Sequence, residues 1–537
     1  MPRKMKTGDR DLMLLEALHI KHYVKERLLL DVERLEVHKQ DRIGLVGRNG
    51  SGKTTLLNVL AGKLLPEEGT IIRHAQWELL PQLKRMDTTK SGGEVTQAYI
   101  KDAMIKAPEI LLADEPTTNL DTEHIEWLEK KLIQWKGALV IVSHDRAFLD
   151  ALCTTIWEIH EGQVNEYKGN YSDYEKQKEM EKGQQQSAYE QYQAKKKQLE
   201  EALKLKEQKA ERATKTPKKV SPSEAKITGA KPYFNKKQKK LLKTAKAIET
   251  RLEKLEKVDR VKEAPPLKMD LPYADTFKDR IILRVQDVKG VIGKRVLWNK
   301  TSFYVRGGDK LAIIGPNGCG KTTLIKKIIN QEEGITVSPS MKMGYFSQNL
   351  NILDVETSIL ENVKTTSKQD ETFIRTVLAR LLFFREDVYK KVGVLSGGER
   401  VKVALAKLFV SDINTLILDE PTNFLDIEAA SALESLLKEY EGTIIFVSHD
   451  RRFIENIATG ILAIRNKEIE VFEGTYRQFK EDQDQPQKSR STREEQRLVL
   501  ETKLSEVLSR LSIEPSEELE REFQRLLKEK RELDGKG

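Results

Sequence analysis

The stretches "GRNGSGKT" at 47–54 and "GPNGCGKT" at 315–322 are two complete matches to G-x-x-x-x-G-K-[ST], and this duplication constrains the fold more than any other feature. Each follows a short apolar run ("RIGLV", "KLAII") and precedes a helical pattern ("TLLNVLAG", "TLIKKIIN"). The motif needs that strand–loop–helix setting, because its glycines let backbone N–H groups turn onto phosphate oxygens at a helix N-terminus. Gly47, Arg48, Asn49, Gly50, Ser51, Gly52, Lys53, Thr54 and Thr55 are therefore expected to hold one nucleotide. Gly315, Pro316, Asn317, Gly318, Cys319, Gly320, Lys321, Thr322 and Thr323 are expected to hold another. Lys53 and Lys321 would reach the β and γ phosphates, and Thr54 and Thr322 would ligate Mg2+.

Downstream, "ILLADEP" (110–116) and "TLILDEP" (415–421) read as buried strands ending in paired acids. Asp114 and Asp419 belong near Mg2+, while Glu115 and Glu420 are placed to polarise the attacking water. The intervals show where the copies diverge. Ser91 to Ser396, Glu115 to Glu420, His144 to His449 and Gly169 to Gly474 are all offset by 305, whereas Lys53 to Lys321 is offset by 268 and Gln82 to Gln348 by 266. Some 39 residues of the second copy are thus missing from the first, all between the glutamine and "SGGE".

The chain of 537 residues is too long for one core, and three or four units are expected. Its longest apolar runs, such as "ALVIV" and "TIIFV", fall far short of a membrane-spanning helix. With no apolar leader and only Cys153 and Cys319, neither secretion nor a disulfide framework is indicated, and a reducing cytoplasm fits. The net charge of +9 is concentrated: residues 181–260 hold 23 Lys/Arg against 11 Asp/Glu. Such a block suits either a solvated helical face or a polyanionic partner.

Phosphate loop, glutamine, "SGGE", paired acids and "SHD" histidine, in that order and twice over, resemble the ATP-binding cassette ATPases. Fused halves joined by a long charged linker, with "DEPTTNLD"/"DEPTNFLD", "VSHDRAFLD"/"VSHDRRFIE" and "YKGNYSDY"/"FEGTYRQF", look like the ABC-F subfamily. The resemblance implies an α/β fold of two tandem P-loop ATPase domains joined by a coiled-coil hairpin. The boundaries it suggests are 8–171 for the first domain, with a shortened helical subdomain, 172–265 for the linker, 278–481 for the second domain and 485–537 for a C-terminal helical hairpin. It further implies a head-to-tail sandwich in which Lys53 works with Ser396, Gly397 and Gly398, and Lys321 with Ser91, Gly92 and Gly93. His144 and His449 would sense the γ-phosphate, Gln82 and Gln348 would reach the metal, and Asp121 and Asp426 would lie at the interface. Tyr23 matches the family's aromatic against adenine, whereas the second copy offers Val291, and the first signature reads "KSGGEV", with Lys90 where the second has leucine, so unequal sites are expected.

Leu241, Ala245, Ile248, Leu252 and Leu255 form a 4-3-4-3 seam facing a weaker one at Tyr189, Tyr192, Leu199, Leu203 and Ala210. Prolines and a glycine place a loop between the two arms, with an extended tip at about 212–235 projected roughly 45 to 60 Å from the cassettes. There "GAKPYFNKKQKK" sets Tyr233 and Phe234 among Lys231, Lys236, Lys237, Lys239 and Lys240, a combination that stacks on single-stranded RNA or, alternatively, caps the seam. At the C-terminus, Leu500, Leu504, Val507, Leu508 and Leu511, then Leu519, Phe523, Leu526 and Leu533, suit a second hairpin held by its own packing or by ribosomal contacts.

An extended tip resembles the antibiotic-resistance, ribosome-protection members of the subfamily. The implied partners are the bacterial ribosome with its 23S rRNA, P-site tRNA and large-subunit proteins, and the cofactors are ATP and Mg2+. A monomer with intramolecular cassette pairing and no membrane contact is implied. A drug-independent translation factor and, with less support, an exporter ATPase are the competing readings. A DNA-repair ATPase would need zinc sites or longer coiled coils.

Overall fold

The computed structural model describes residues 12–82, 92–118, 120–213, 230–258, 278–347, 352–484 and 523–527. The first copy begins with β1 (Met13–Val24), β2 (Arg27–His38), β3 (Arg42–Gly47), β4 (Glu68–Arg73) and β5 (Trp77–Leu80). It continues with β6 (Ile110–Asp114), β7 (Ala138–Val142), β8 (Thr155–His160) and β9 (Gln163–Lys168). The second copy contains β10 (Ile281–Ile292), β11 (Arg295–Arg306), β12 (Lys310–Ile314), β13 (Ile335–Val337) and β14 (Met343–Phe346). Its last strands are β15 (Thr415–Asp419), β16 (Thr443–Val447), β17 (Gly460–Arg465) and β18 (Glu468–Glu473). The six-stranded sheets run β5-β6-β7-β3-β8-β9 and β14-β15-β16-β12-β17-β18, the same order twice. Each is parallel except for its last strand. A three-stranded antiparallel sheet, β2-β1-β4 or β11-β10-β13, accompanies each.

A parallel strand with helices on both faces must be apolar on both, which explains runs such as "ALVIV" and "TIIFV", buried at every position. The period of two then divides the run between two cores: Ile110 and Leu112 enter one cluster, Leu111 and Ala113 the other. β15 is divided in the same way, with Leu416 and Leu418 on one side and Ile417 on the other.

The copies differ where the intervals differ. Between β14 and the helix Gly397–Phe409, the second copy inserts helices Ile359–Lys364 and Glu371–Arg380 and two short 3-10 turns. Ile359, Val363, Ile374, Val377 and Leu378 pack these against the following helix. In the first copy the corresponding helix is Gly92–Ile105, and residues 83–91 before it lie outside the described residues. The consequence is visible on the helix itself: Ala404 and Val410 are 0% and 1% exposed, and at the same positions Tyr99 and Ile105 are 43% and 80% exposed.

The linker consists of a 43-residue helix, Tyr171–Ala213, packed against a 24-residue helix, Ala230–Glu253. Leu241, Ala245, Ile248, Leu252 and Leu255 are the shielded positions of the returning arm, and Tyr189, Tyr192, Leu199, Leu203 and Ala210 are shielded on the outgoing one. One expectation is corrected. Residues 230–235, assigned to the loop because of Pro232, already belong to the returning helix, so Lys231, Tyr233 and Phe234 stand on its first turns. Proline is tolerated there because the N–H groups of a first turn have no intrahelical acceptor. Residues 214–229 lie outside the described residues. So does most of the expected C-terminal hairpin, of which 523–527 are helical with Leu526 buried.

At its foot the linker is gripped by the second copy. Arg452 donates to Ser172 at 2.6 Å and Glu175 at 2.9 Å, and its guanidinium lies over the Tyr171 ring. Among the described residues, no helix is long and apolar enough to cross a membrane.

Candidate active site

Each phosphate loop runs from a buried strand into a helix, Lys53–Leu60 or Lys321–Ile329. The residue before each helix is a left-handed glycine, Gly52 at φ 104° and Gly320 at φ 108°. A side chain at Gly320 would meet the Trp298 ring at 2.4 Å, so conformation and space both require glycine. Lys53 is buried and donates to the Gly47 and Arg48 carbonyls at 2.7 and 3.0 Å. Lys321 does the same to Gly315 and Pro316, at 2.8 and 3.1 Å. Burial lowers the affinity of Lys53 for its proton, while Glu115, Asp426 and Asp114 act in the opposite sense.

Thr54 hydrogen-bonds Asp114, and Thr322 hydrogen-bonds Asp419. Burial pushes both aspartates above the usual carboxylate range; these hydroxyls and the loop lysines pull them back. Asp114 Oδ1 is buried with no hydrogen-bond partner among the described residues. A threonine hydroxyl beside an under-satisfied carboxylate is a hard-oxygen donor set, which fits Mg2+. Gln82 is exposed at the end of β5, and Gln348 lies outside the described residues.

Glu115 and Glu420 follow β6 and β15 directly and are buried. Burial pushes their carboxyls up to about 8 and about 7, against the pull of Lys53 and Lys321. His144 Nε2 lies 3.2 Å from Glu115 Oε1, and His449 Nε2 lies 3.3 Å from Glu420 Oε1. Burial and the loop ammonium push these imidazoles down to about 4 and about 3, so both are neutral near pH 7. Each pair can therefore hold a proton and pass it on.

Both sites lie between the copies. Ser396 caps the helix Gly397–Phe409 in a capping box with Glu399, and Gly398 comes so close to Asn49 that an added methyl would sit 3.2 Å from its Nδ2. Asn49 donates through its backbone to Asp426 at 2.8 Å and through its side chain to the Phe424 carbonyl at 3.0 Å. Arg48 forms a two-point pair with Glu428 at 2.6 and 2.9 Å. The first loop thus faces the second copy's helix N-terminus, whose N–H groups are of the kind that can bind an anion. In the other site Asn317 N–H donates to Asp121 at 2.9 Å, and Pro316 replaces Arg48. Gly92 and Gly93 open the first copy's helix, and Ser91 lies outside the described residues.

Strand register sets Tyr23 opposite Leu28 and Val291 opposite Val296, at matching places in the two antiparallel sheets. Both side chains are exposed, and the first copy has a ring at a register position where the second has valine. Arg146 and Arg451, which bridge the copies, were not singled out by the motifs. Their signal was available, since "SHDR" and the glutamates Glu129 and Glu434 all repeat at the same offset of 305.

A family model described as "ABC transporter" matches residues 30–87 and 298–423, and a second of the same description matches 157–222. The chain is 34% identical to "Ribosome protection protein VmlR" of Bacillus subtilis (strain 168), over 96% of this chain and 97% of that one. It is 35% identical to "Erythromycin resistance ATP-binding protein MsrA" of Staphylococcus epidermidis, over 82% of this chain and 95% of that one. A solved structure of "RNase-L Inhibitor" shares the tandem fold, with a TM-score of 0.56 and 17% identity, over 86% of this chain and 91% of that one.

Proposed function

The chain belongs to the ABC-F family of ATP-binding cassette ATPases, and from that premise we propose that it is an ATP-dependent ribosome protection factor. It binds the bacterial ribosome at the tRNA exit site and reaches with its linker tip toward the peptidyl-transferase centre. There it dislodges lincosamide, streptogramin A and pleuromutilin-type antibiotics. The observation that carries this reading is similarity over nearly the whole chain to a protein named for ribosome protection, together with a 43-residue helix packed against a returning helix whose sequence opens rich in lysine. Contacts with 23S rRNA, P-site tRNA and large-subunit proteins, a monomeric state and a cytoplasmic location belong to the same reading.

In this mechanism Lys53 and Lys321 leave their loop carbonyls for the β and γ phosphates, and Tyr23 stacks on one adenine. Thr54 and Asp114 in one site, and Thr322 and Asp419 in the other, would hold Mg2+, which would supply positive charge against the phosphates. Ser396, Gly397 and Gly398 close on the nucleotide of the first loop; Ser91, Gly92 and Gly93 close on that of the second. Glu115 and Glu420 orient and polarise water, with His144 and His449 holding the proton relay beside them. Loss of the γ-phosphate removes what both copies grip, and the sandwich opens.

The test is pelleting with ribosomes in ATP, followed by a resistance assay in cells. Stable co-sedimentation and a raised inhibitory concentration for at least one of the three drug classes are expected. Co-sedimentation without any protection would favour a drug-independent translation factor, and absence of ribosome binding would overturn both.

A further inference from the structure

The two histidine loops face each other between the cassettes, and each carries an arginine that the nucleotide sites leave unused. Arg146 follows His144 and Asp145; Arg451 follows His449 and Asp450. Each aspartate caps its own helix with one oxygen, accepting the Phe148 or Phe453 N–H at 3.0 Å. The other oxygen faces the opposite cassette: Asp450 Oδ2 lies 3.6 Å from Arg146, and Asp145 Oδ2 lies 4.0 Å from Arg451. A glutamate of the opposite cassette completes each cluster. Arg146 meets both carboxylate oxygens of Glu434, and Arg451 meets Glu129 at 2.7 Å. Arg146 and Glu434 are almost fully buried.

We propose that Arg146 and Arg451 are positioning residues for ATP hydrolysis, tying the two histidine loops together so that each site sets the placement of the other's histidine. Charges paired inside a dry interface attract strongly only while their geometry holds, and leaving one unpaired there is costly. His144 and Arg146 flank the aspartate that fixes the helix start, so movement of His144 away from Glu115 carries Arg146 with it. That movement pulls on Asp450, the neighbour of His449. The reverse path runs from Arg451 to Asp145. A loop that is either paired or unpaired across the interface is the two-state element that coupling between sites requires. The two paths are unequal. Ser431 at 3.2 Å and an Asn456 contact to Glu434 at 3.1 Å brace the Arg146 cluster, and the shared offset puts Glu126 and Ala151 in those places around Arg451.

The test uses the full chain and measures steady-state phosphate release for the parent, Glu115→Gln and Glu420→Gln, each with and without Arg146→Met/Arg451→Met. It rests on Glu115 and Glu420 acting on water; if that reading is wrong, both glutamine variants keep the parent rate. Independent sites would give two single-variant rates that sum to the parent rate. Coupling predicts a sum at least about threefold away from it, and in the methionine background a sum equal to that background's own rate. Arg146→Lys/Arg451→Lys, which keeps both charges, should restore the non-additivity. Asp145→Asn/Asp450→Asn retains the helix caps and should behave like the methionine pair, which guards against a folding defect. Additive rates in the parent, or unchanged non-additivity in either folded variant, would overturn the proposal.

Discussion

At the scale of single residues, Glu115 and Glu420 hold left-handed backbone, φ 50° and 52°, which a glycine would adopt at less cost. Side chains are kept in such positions where their chemistry is needed. Changing both to Gln preserves shape and hydrogen bonding but removes the base, so turnover should fall by about 10²- to 10⁴-fold while ATP still binds. Phosphate release measures the first effect, and retention on ribosomes with ATP the second. Tyr23→Ala should weaken nucleotide binding at one site by about 5- to 150-fold, the ~1–3 kcal/mol of an aromatic stack on a base, with no change for Val291→Ala. A fluorescent ATP analogue titrated into both variants checks this; equal affinities would count against adenine stacking on Tyr23. The phosphate loops and paired acids were legible because each demands particular residue types in one unbroken stretch. Arg146 was legible only as a repeat: the shared offset marks it and Glu434, but a charged residue after "SHD" carries no sign that the two meet across 288 positions of chain.

At the scale of elements, the parallel strands could be read from sequence because strands covered on both faces are apolar throughout. The start of the returning linker helix could not, because Pro232 gives the same signal inside a first turn as in a loop. Tyr233 and Phe234 both stand on helical backbone. Tyr233→Ala/Phe234→Ala should abolish or re-tune resistance and leave ATPase activity and ribosome binding near the parent values; a folded double variant that still protects against every peptidyl-transferase drug would refute a role for the tip. Neutralising Lys236, Lys237, Lys239 and Lys240 together should act differently. Ribosome association should weaken, and the slope of log affinity against log salt should become shallower, because each lost phosphate contact releases fewer counterions.

At the scale of the molecule, duplication has left two cassettes with one topology and different surroundings. Ile105→Lys, at an exposed position, should change stability by less than about 0.5 kcal/mol, while Val410→Lys buries an unpaired charge and should cost more than about 4 kcal/mol. Thermal or urea unfolding of the two variants compares them directly. The sites should also differ in rate, since the first copy has Tyr23 where the second has Val291 and an Arg48–Glu428 pair where the second has Pro316; equal residual turnover in Glu115→Gln and Glu420→Gln would count against this. The grip of Arg452 on Ser172 and Glu175 joins the second cassette to the end of a long rod. A 43-residue helix is about 65 Å long, so a tilt of about 5° at its foot sweeps the far end through ~6 Å. The linker is in that sense a gear, turning a small rotation at its foot into a larger displacement at its far end.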